Sequence, residues 1–252
     1  MRFTEYGEEH QDVVILLHGG GLSWWNFRTV AELLSHAYHV VLPSLDGHGG
    51  SDHHFVSIEE NAARLIAFID ETFGGSVLCI GGVSLGGQIL TEMLFQRGNI
   101  CRFAIVESAS VLPDKAMAAL IAPVFSASYG LISQKWFARL QASYLGIPRD
   151  LFEDYYRDTC RVTRENLITF MHDSVSYGAK DGFAANRAAV RICVGGREQR
   201  RIKRSSQILH ERIPGSVLDV KKGLRHGEYS MGHAKQYAQE LMDWVVGKKD
   251  MG

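Results

Sequence analysis

Residues 77–88 read VLCIGGVSLGGQ. Val77 to Ile80 is a short run, apolar throughout, and it ends at Gly81 and Gly82. Helical patterning resumes over Gln88 to Gln96, so a strand turns into a helix within a few residues. The junction Gly82-Val83-Ser84-Leu85-Gly86 is a G-x-S-x-G pattern, with Gly87 following. A sharp strand-to-helix turn crowds two backbones together, so small residues must flank the serine. Such a turn holds the Ser84 hydroxyl out over a sheet edge, at the N-terminus of a helix. The pattern alone is weak; a strand before it and a helix after it make it specific.

Similar strand signals lie on both sides. Val13 to Leu17 is apolar, rich in β-branched residues and ended by His18-Gly19-Gly20-Gly21. Val40 to Leu42, Phe103 to Val106, Val190 to Val194 and Val217 to Val220 complete the set. Short runs without polar alternation read as strands buried on both faces, hence a parallel sheet covered by helices. Helical periodicity fills the intervals at Phe27 to Leu34, Ile58 to Phe73, Ile202 to Ile213 and Ala234 to Val246. In the second of these, Ala62, Leu65, Ile66, Ile69 and Phe73 share one stripe. Strand and helix alternate, which predicts an α/β fold: a mostly parallel twisted sheet with helices on both faces.

The rhythm breaks between Leu112 and Asn186, where helical patterning runs on with no strand. The stretch is too long for one crossover helix and is rich in aromatics, among them Trp136, Tyr155, Phe170 and Tyr177. It reads as an all-helical insertion after the strand at 103–106, packed over the carboxyl edge of the sheet. The plainer alternative is a set of ordinary core helices. The expected organisation is a core from 1–111 and 187–252 and a helical insertion at 112–186.

Composition agrees with one elaborated globular unit. Of 252 residues, 46% are hydrophobic and 22% charged, which excludes a disordered, collagen-like or coiled-coil chain. Lys+Arg total 27 and Asp+Glu 28, a balance that argues against nucleic acid as a partner. MRFTEYGEEH lacks the apolar centre of a signal peptide, and no run is long enough to span a bilayer. Cys79, Cys101, Cys160 and Cys193 are widely spaced without a CxxC pair and read as reduced thiols of a cytoplasmic protein.

A serine hydroxyl needs a base to become a nucleophile. The expected base is His226, in the loop Gly223-Leu224-Arg225-His226-Gly227 after the last strand, with His233 as the rival. The glycines after His18 let backbone N–H groups turn inward, where one of them and the N–H of Leu85 can bind a developing oxyanion. His48, Asp52, His53 and His54 resemble metal-ligand spacing, but Gly50 stands where the pattern needs a histidine, so no metal is expected. Asp46 reads as a turn residue, and Arg197 to Arg204 as a solvated helix start. Trp24 and Trp25 read either as pocket lining or as packing against the insertion.

Taken together, these motifs resemble the α/β-hydrolase superfamily. The matching segments are HGGG at 18–21, DGHGGSD at 46–52, GVSLGG at 82–87, VGGRE at 194–198 and the late G-x-x-H-G, in the family's order over nearly the whole chain. The stretch 112–186 matches least, where the family inserts a variable cap. The resemblance implies a Ser, an acid and a His in that chain order. Carried over by position, Ser84 is the nucleophile, His226 the general base, and Gly20 and Leu85 the oxyanion donors, with Gly21 a substitute for Gly20. For the acid, Glu198 stands where the family usually has Asp, and Glu107 is a second candidate. The implied activity is hydrolysis of a small to medium carboxylic ester, a small-molecule substrate, without a cofactor. Lactone opening, C–C cleavage, cofactor-free perhydrolysis and non-catalytic ligand binding are alternatives on the same fold.

Overall fold

The computed structural model describes residues 1–249. In chain order the first elements are β1 (Phe3–Tyr6), β2 (Val13–Leu17), α1 (Arg28–Leu34), β3 (His39–Pro43), α2 (Ile58–Phe73), β4 (Val77–Val83), α3 (Leu85–Gln96) and β5 (Cys101–Glu107). Helices α4 (Lys115–Ser128), α5 (Lys135–Tyr144), α6 (Phe152–Thr159) and α7 (Arg164–Ser176) follow. The chain then returns through β6 (Ala189–Gly195), α8 (Arg200–Arg212), β7 (Val217–Lys221), α9 (Glu228–Gly232) and α10 (Ala234–Lys249). The seven strands form one sheet in the order β1-β3-β2-β4-β5-β6-β7. Only β1 runs antiparallel, against β3.

Side-chain alternation along each strand feeds two apolar layers. Ile15 and Leu17 of β2 join α2, α3 and α8 on one face, while Val14 and Leu16 join α1 and α10 on the other. Burying one such side chain contributes roughly 1.5–3 kcal/mol, so a one-residue slip in register is strongly disfavoured. Helix α2 illustrates how local signals fix an element. The Ser57 side chain accepts from the Glu60 N–H at 3.1 Å, and Gly74 ends the helix in the left-handed region at φ 69°. A cap of that kind is worth about 1 kcal/mol. Its buried stripe of Ala62, Leu65 and Ile69 is the one the periodicity predicts.

Three expectations need correction. β1 has no strand signature in the sequence: FTEY is short and half polar, and it is recruited by pairing with β3. Val217 to Val220 is not buried on both faces. β7 is the edge strand, and Val217 and Val220 are each 54% exposed. Helix α3 starts at Leu85, three residues before the predicted start, because its glycines serve close backbone approach and not a break.

The stretch between β5 and β6 is helical throughout its regular elements. Its aromatics divide: Tyr155, Phe170 and Tyr177 are buried, whereas Trp136 and Tyr144 are exposed. Helix α7 is bound to the core by side chains. Gln88 Nε2 donates to the Ser174 carbonyl at 2.8 Å, and Asp173 accepts from the Ile58 N–H at 2.6 Å. Just beyond α7, Tyr177 OH donates to buried Glu92 at 2.9 Å. Among the described residues no helix is long and apolar enough to cross a membrane. All four cysteines are free; Cys79, Cys101 and Cys193 are buried and Cys160 is exposed.

Candidate active site

The chain lays β3 on one side of β2 and then crosses to β4 on the other, so the strand order reverses between β2 and β4. In an open α/β sheet, that reversal opens a crevice beyond the carboxyl ends of the two strands. The loop after β2 carries Gly19 to Gly21, and the turn after β4 carries Ser84. Topology alone therefore brings the two sequence motifs face to face.

Ser84 sits in an unusual backbone conformation, with φ 54° and ψ −114°. A non-glycine residue held there costs about 1–3 kcal/mol, and the surroundings must enforce it. They do so by crowding. A Cβ on Gly82 would collide with the Gly86 carbonyl, and one on Gly86 would collide with the Leu17 carbonyl. The Ser84 N–H donates to the Glu107 carbonyl at 2.8 Å, which ties the turn to the end of β5.

His226 Nε2 lies 3.0 Å from Ser84 Oγ, and its Nδ1 lies 2.8 Å from Glu198 Oε2. Glu198 is buried, whereas the His226 side chain is 45% exposed, so the site opens to solvent on the histidine side. The second carboxylate oxygen, Oε1, accepts from Ser108 Oγ at 2.7 Å and from the Gly195 N–H at 2.8 Å. Burial by itself would raise the Glu198 carboxyl; bonds from His226, Ser108 and Gly195 outweigh it and hold the group below the usual range. Glu198 is thus ionised, and His226 donates to it from Nδ1, leaving Nε2 to accept from the serine hydroxyl.

The two loops behind this pair are pressed together. A Cβ on Gly195 would collide with the Leu224 carbonyl, and the Arg197 N–H donates to the same carbonyl at 2.9 Å. Glu198 sits in the turn just after β6, where its N–H donates to the Gly195 carbonyl at 3.1 Å.

Glu107 takes no part in this line. Its Oε1 accepts from the Ser230 N–H at 3.3 Å, and its Oε2 has no partner among the described residues. Complete burial pushes its carboxyl up to about 7, against opposing contributions from Ser230 and His226. His233 ends α9 away from the Ser84 line, and its N–H donates to the Tyr229 carbonyl at 3.2 Å.

Across from His226, the Gly19 N–H is taken by Asn26 Oδ1 at 3.1 Å. The Gly20 N–H has no acceptor among the described residues. Leu85 is the first residue of α3, so its N–H has no carbonyl one turn back. A Cβ on Gly20 would lie 3.6 Å from Leu85 Cβ and 3.5 Å from Phe170 Cε2, so Gly20 is packed against both residues. Gly21, at φ 73°, has nothing within 4 Å of its Cβ position. His18 braces the loop from below: burial lowers it to about 3, so it is neutral. Its Nδ1–H donates to the Gly19 carbonyl at 2.9 Å, and its Nε2 accepts from the Leu45 N–H at 3.1 Å.

Other sequence candidates resolve differently. Trp25 is fully buried, packs edge-on against Tyr155 and donates to Asp158 Oδ2 at 2.9 Å, so it packs against α6. Trp24 lies partly buried under Arg28. Asp46 does occupy a turn, but a buried one, paired with Arg64 at 2.9 Å. His48 is buried against Phe170, whereas Asp52 pairs with Arg2 at the surface. Among the described residues no group of three or more His, Cys, Asp or Glu could hold a metal ion. Sequence reasoning missed Ser108, Asn26 and His18 as supports. No local pattern marks Ser108, whose partner lies ninety positions further on.

A family model described as "Alpha/beta hydrolase family" matches residues 14–240. An "AB hydrolase superfamily protein" of Gibberella zeae is 30% identical over 128 residues, which is 50% of this chain and 44% of that protein. The chain therefore spans less than half the length of that relative. The enol-lactonase from Burkholderia xenovorans LB400 superposes with a TM-score of 0.81 at 12% identity, covering 97% of this chain and 96% of that one. An esterase from Exiguobacterium antarcticum gives 0.80 at 17% identity, covering 97% and 94%. A thermophilic esterase from Thermogutta terrifontis gives 0.79 at 17% identity, covering 98% and 93%. At such identities the likeness concerns the fold.

Proposed function

This chain belongs to the alpha/beta hydrolase family, and on that premise we propose that it is a serine hydrolase acting on a small to medium carboxylic ester. The observation that carries this reading is the continuous hydrogen-bonded line from Ser84 Oγ through His226 to Glu198, at 3.0 and 2.8 Å, on the carboxyl edge of the sheet.

In the proposed reaction, Ser84 Oγ attacks the ester carbonyl while its proton passes to His226 Nε2. The carbonyl oxygen becomes an oxyanion held by the N–H groups of Gly20 and Leu85. Loss of one donor of this kind costs about 3 kcal/mol of barrier. The tetrahedral adduct collapses, the C–O bond to the alcohol breaks, and His226 returns its proton to the leaving oxygen. A water then attacks the acyl-enzyme with His226 again taking a proton, and collapse releases the carboxylic acid and restores the Ser84 hydroxyl. Glu198 stays ionised throughout and compensates the charge on His226.

Leu22 and Phe170 border Gly19 and Gly20, which supports an apolar acyl group on that side. In this reading the helices of 112–186 form a cap, with Phe170 its contribution to the site and Trp25–Asp158 one of its anchors. The free cysteines suit a cytoplasmic setting. Turnover of an activated ester tests the proposal: the wild-type protein hydrolyses it and Ser84→Ala does not. Equal rates in the two proteins would refute it.

A further inference from the structure

The two segments that carry Glu198 and His226 also carry four exposed cations: Arg197, Lys222 and Arg225 in the loops and Arg200 at the first position of α8. None of the four forms an ion pair or a side-chain hydrogen bond among the described residues. The neighbouring cations are satisfied. Arg201 is bonded to the Leu112 carbonyl at 3.0 Å, Arg204 to Glu211 at 3.1 Å and Lys221 to Asp219 at 2.9 Å. Nearby acids are turned elsewhere: Glu198 toward His226, and Glu228 onto the Arg225 N–H at 2.7 Å.

Backbone bonds hold the two segments together. The Gly196 N–H donates to the Lys221 carbonyl at 2.8 Å and the Arg197 N–H to the Leu224 carbonyl at 2.9 Å. A Cβ on Gly196 would lie 3.4 Å from Lys222 Cα. An exposed cation without a counter-ion is ordinary; four of them, each within four residues of Glu198 or His226 along the chain, concentrate unpaired positive charge beside that pair.

The proposed chemistry says which part of a substrate would meet them. His226 returns its proton to the leaving oxygen, so the leaving group lies against the His226 loop. The acyl group extends the other way, toward Leu22 and Phe170. Resting on the serine hydrolase reading, we propose that the leaving group carries a carboxylate or phosphate bound by Arg197, Arg200, Lys222 and Arg225. The substrate class is an ester or thioester of an apolar acid with an anionic alcohol or thiol.

Matched substrate pairs test this. One pair is 4-carboxyphenyl butyrate and phenyl butyrate; the other is the butyryl thioester of coenzyme A and that of N-acetylcysteamine. The anionic member of at least one pair is expected to be favoured about tenfold in kcat/KM, through KM, with the preference fading as salt rises, since exposed ion pairs are weak and screened. Preference within the first pair identifies a carboxylate and within the second a phosphate. The ratio is read within one protein, so partial misfolding does not move it. Arg197→Gln/Arg225→Gln is expected to bring it close to one. Arg102→Gln/Arg187→Gln, the same charge loss at the opposite sheet edge, is expected to preserve it. No preference in either pair, or a preference the first double variant keeps, overturns the inference while leaving the hydrolase reading intact. Should no ester turn over, binding of coenzyme A and 4-hydroxybenzoate to the wild-type protein decides: salt-sensitive binding lost in Arg197→Gln/Arg225→Gln upholds the anion site, and no binding overturns it.

Discussion

Glu198 holds His226 Nδ1 at 2.8 Å through one carboxylate oxygen, and with the other it takes two donors, Ser108 Oγ at 2.7 Å and the Gly195 N–H at 2.8 Å. Both oxygens are fixed, so the ring that bonds to Glu198 is fixed in tautomer and direction. Glu198→Gln is therefore expected to lower kcat by about 10³–10⁴-fold, the scale of losing the carboxylate behind a catalytic histidine. Glu107→Gln is expected to fall well short of that. Steady-state kinetics on one activated ester ranks the two, and the reverse order would transfer the role to Glu107.

Ser108 is a positioning residue in this account. Ser108→Ala removes the donor to Glu198 Oε1, a hydrogen bond to a charged group worth about 1.5–3 kcal/mol. The expected effect is a kcat about tenfold to a hundredfold lower with KM nearly unchanged. A change confined to KM would mean that Ser108 acts on substrate binding instead.

Glu107 makes stability depend on pH in a defined direction. Its carboxyl is raised to about 7 by burial, so the folded protein keeps it protonated where the unfolded chain has already lost the proton. Below the unfolded value near 4.5 the two states hold the same proton and nothing is lost. As pH rises from there through about 7, folding becomes less favourable, by an amount on the order of 3 kcal/mol. Glu107→Gln should remove this slope. Denaturation midpoints of the two proteins should converge at pH 4.5 and separate by pH 8, with the variant the more stable; a constant difference would contradict the assignment.

Trp25 anchors α6 to the core through Asp158 at 2.9 Å. Trp25→Phe keeps the ring against Tyr155 but removes the donor. The expected loss is about 2 kcal/mol, a Tm lower by roughly 4–8 °C, measured by calorimetry. An unchanged Tm would mean that Arg157, which also bonds Asp158, suffices alone.

Much of this was legible in the sequence because the central strands β2 and β4 carry unbroken apolar runs, and the Gly19–Gly21 and Ser84 motifs directly follow them. Ser84 and His226 are marked by glycine-containing loops after strand runs, whereas Glu198 is named through the position of the family's acid. What stayed hidden depends on partners remote in sequence. β1 is a strand only because β3 lies beside it. β7 has the apolar content of a central strand but lies at the edge, and edge position is a property of the sheet order. The choice between Glu198 and Glu107 needed side-chain direction: Glu198 follows β6 and Glu107 ends β5, but the Glu198 carboxylate meets His226 and that of Glu107 meets the Ser230 N–H.

The most direct test of the central claim is labelling of the folded protein with a fluorophosphonate, followed by peptide mapping. An activated serine with a working base reacts and an ordinary surface serine does not. Stoichiometric modification is expected at Ser84, strongly slowed in His226→Ala and absent in Ser84→Ala. Folded wild-type protein that stays unlabelled, or that is labelled at another serine, would contradict it.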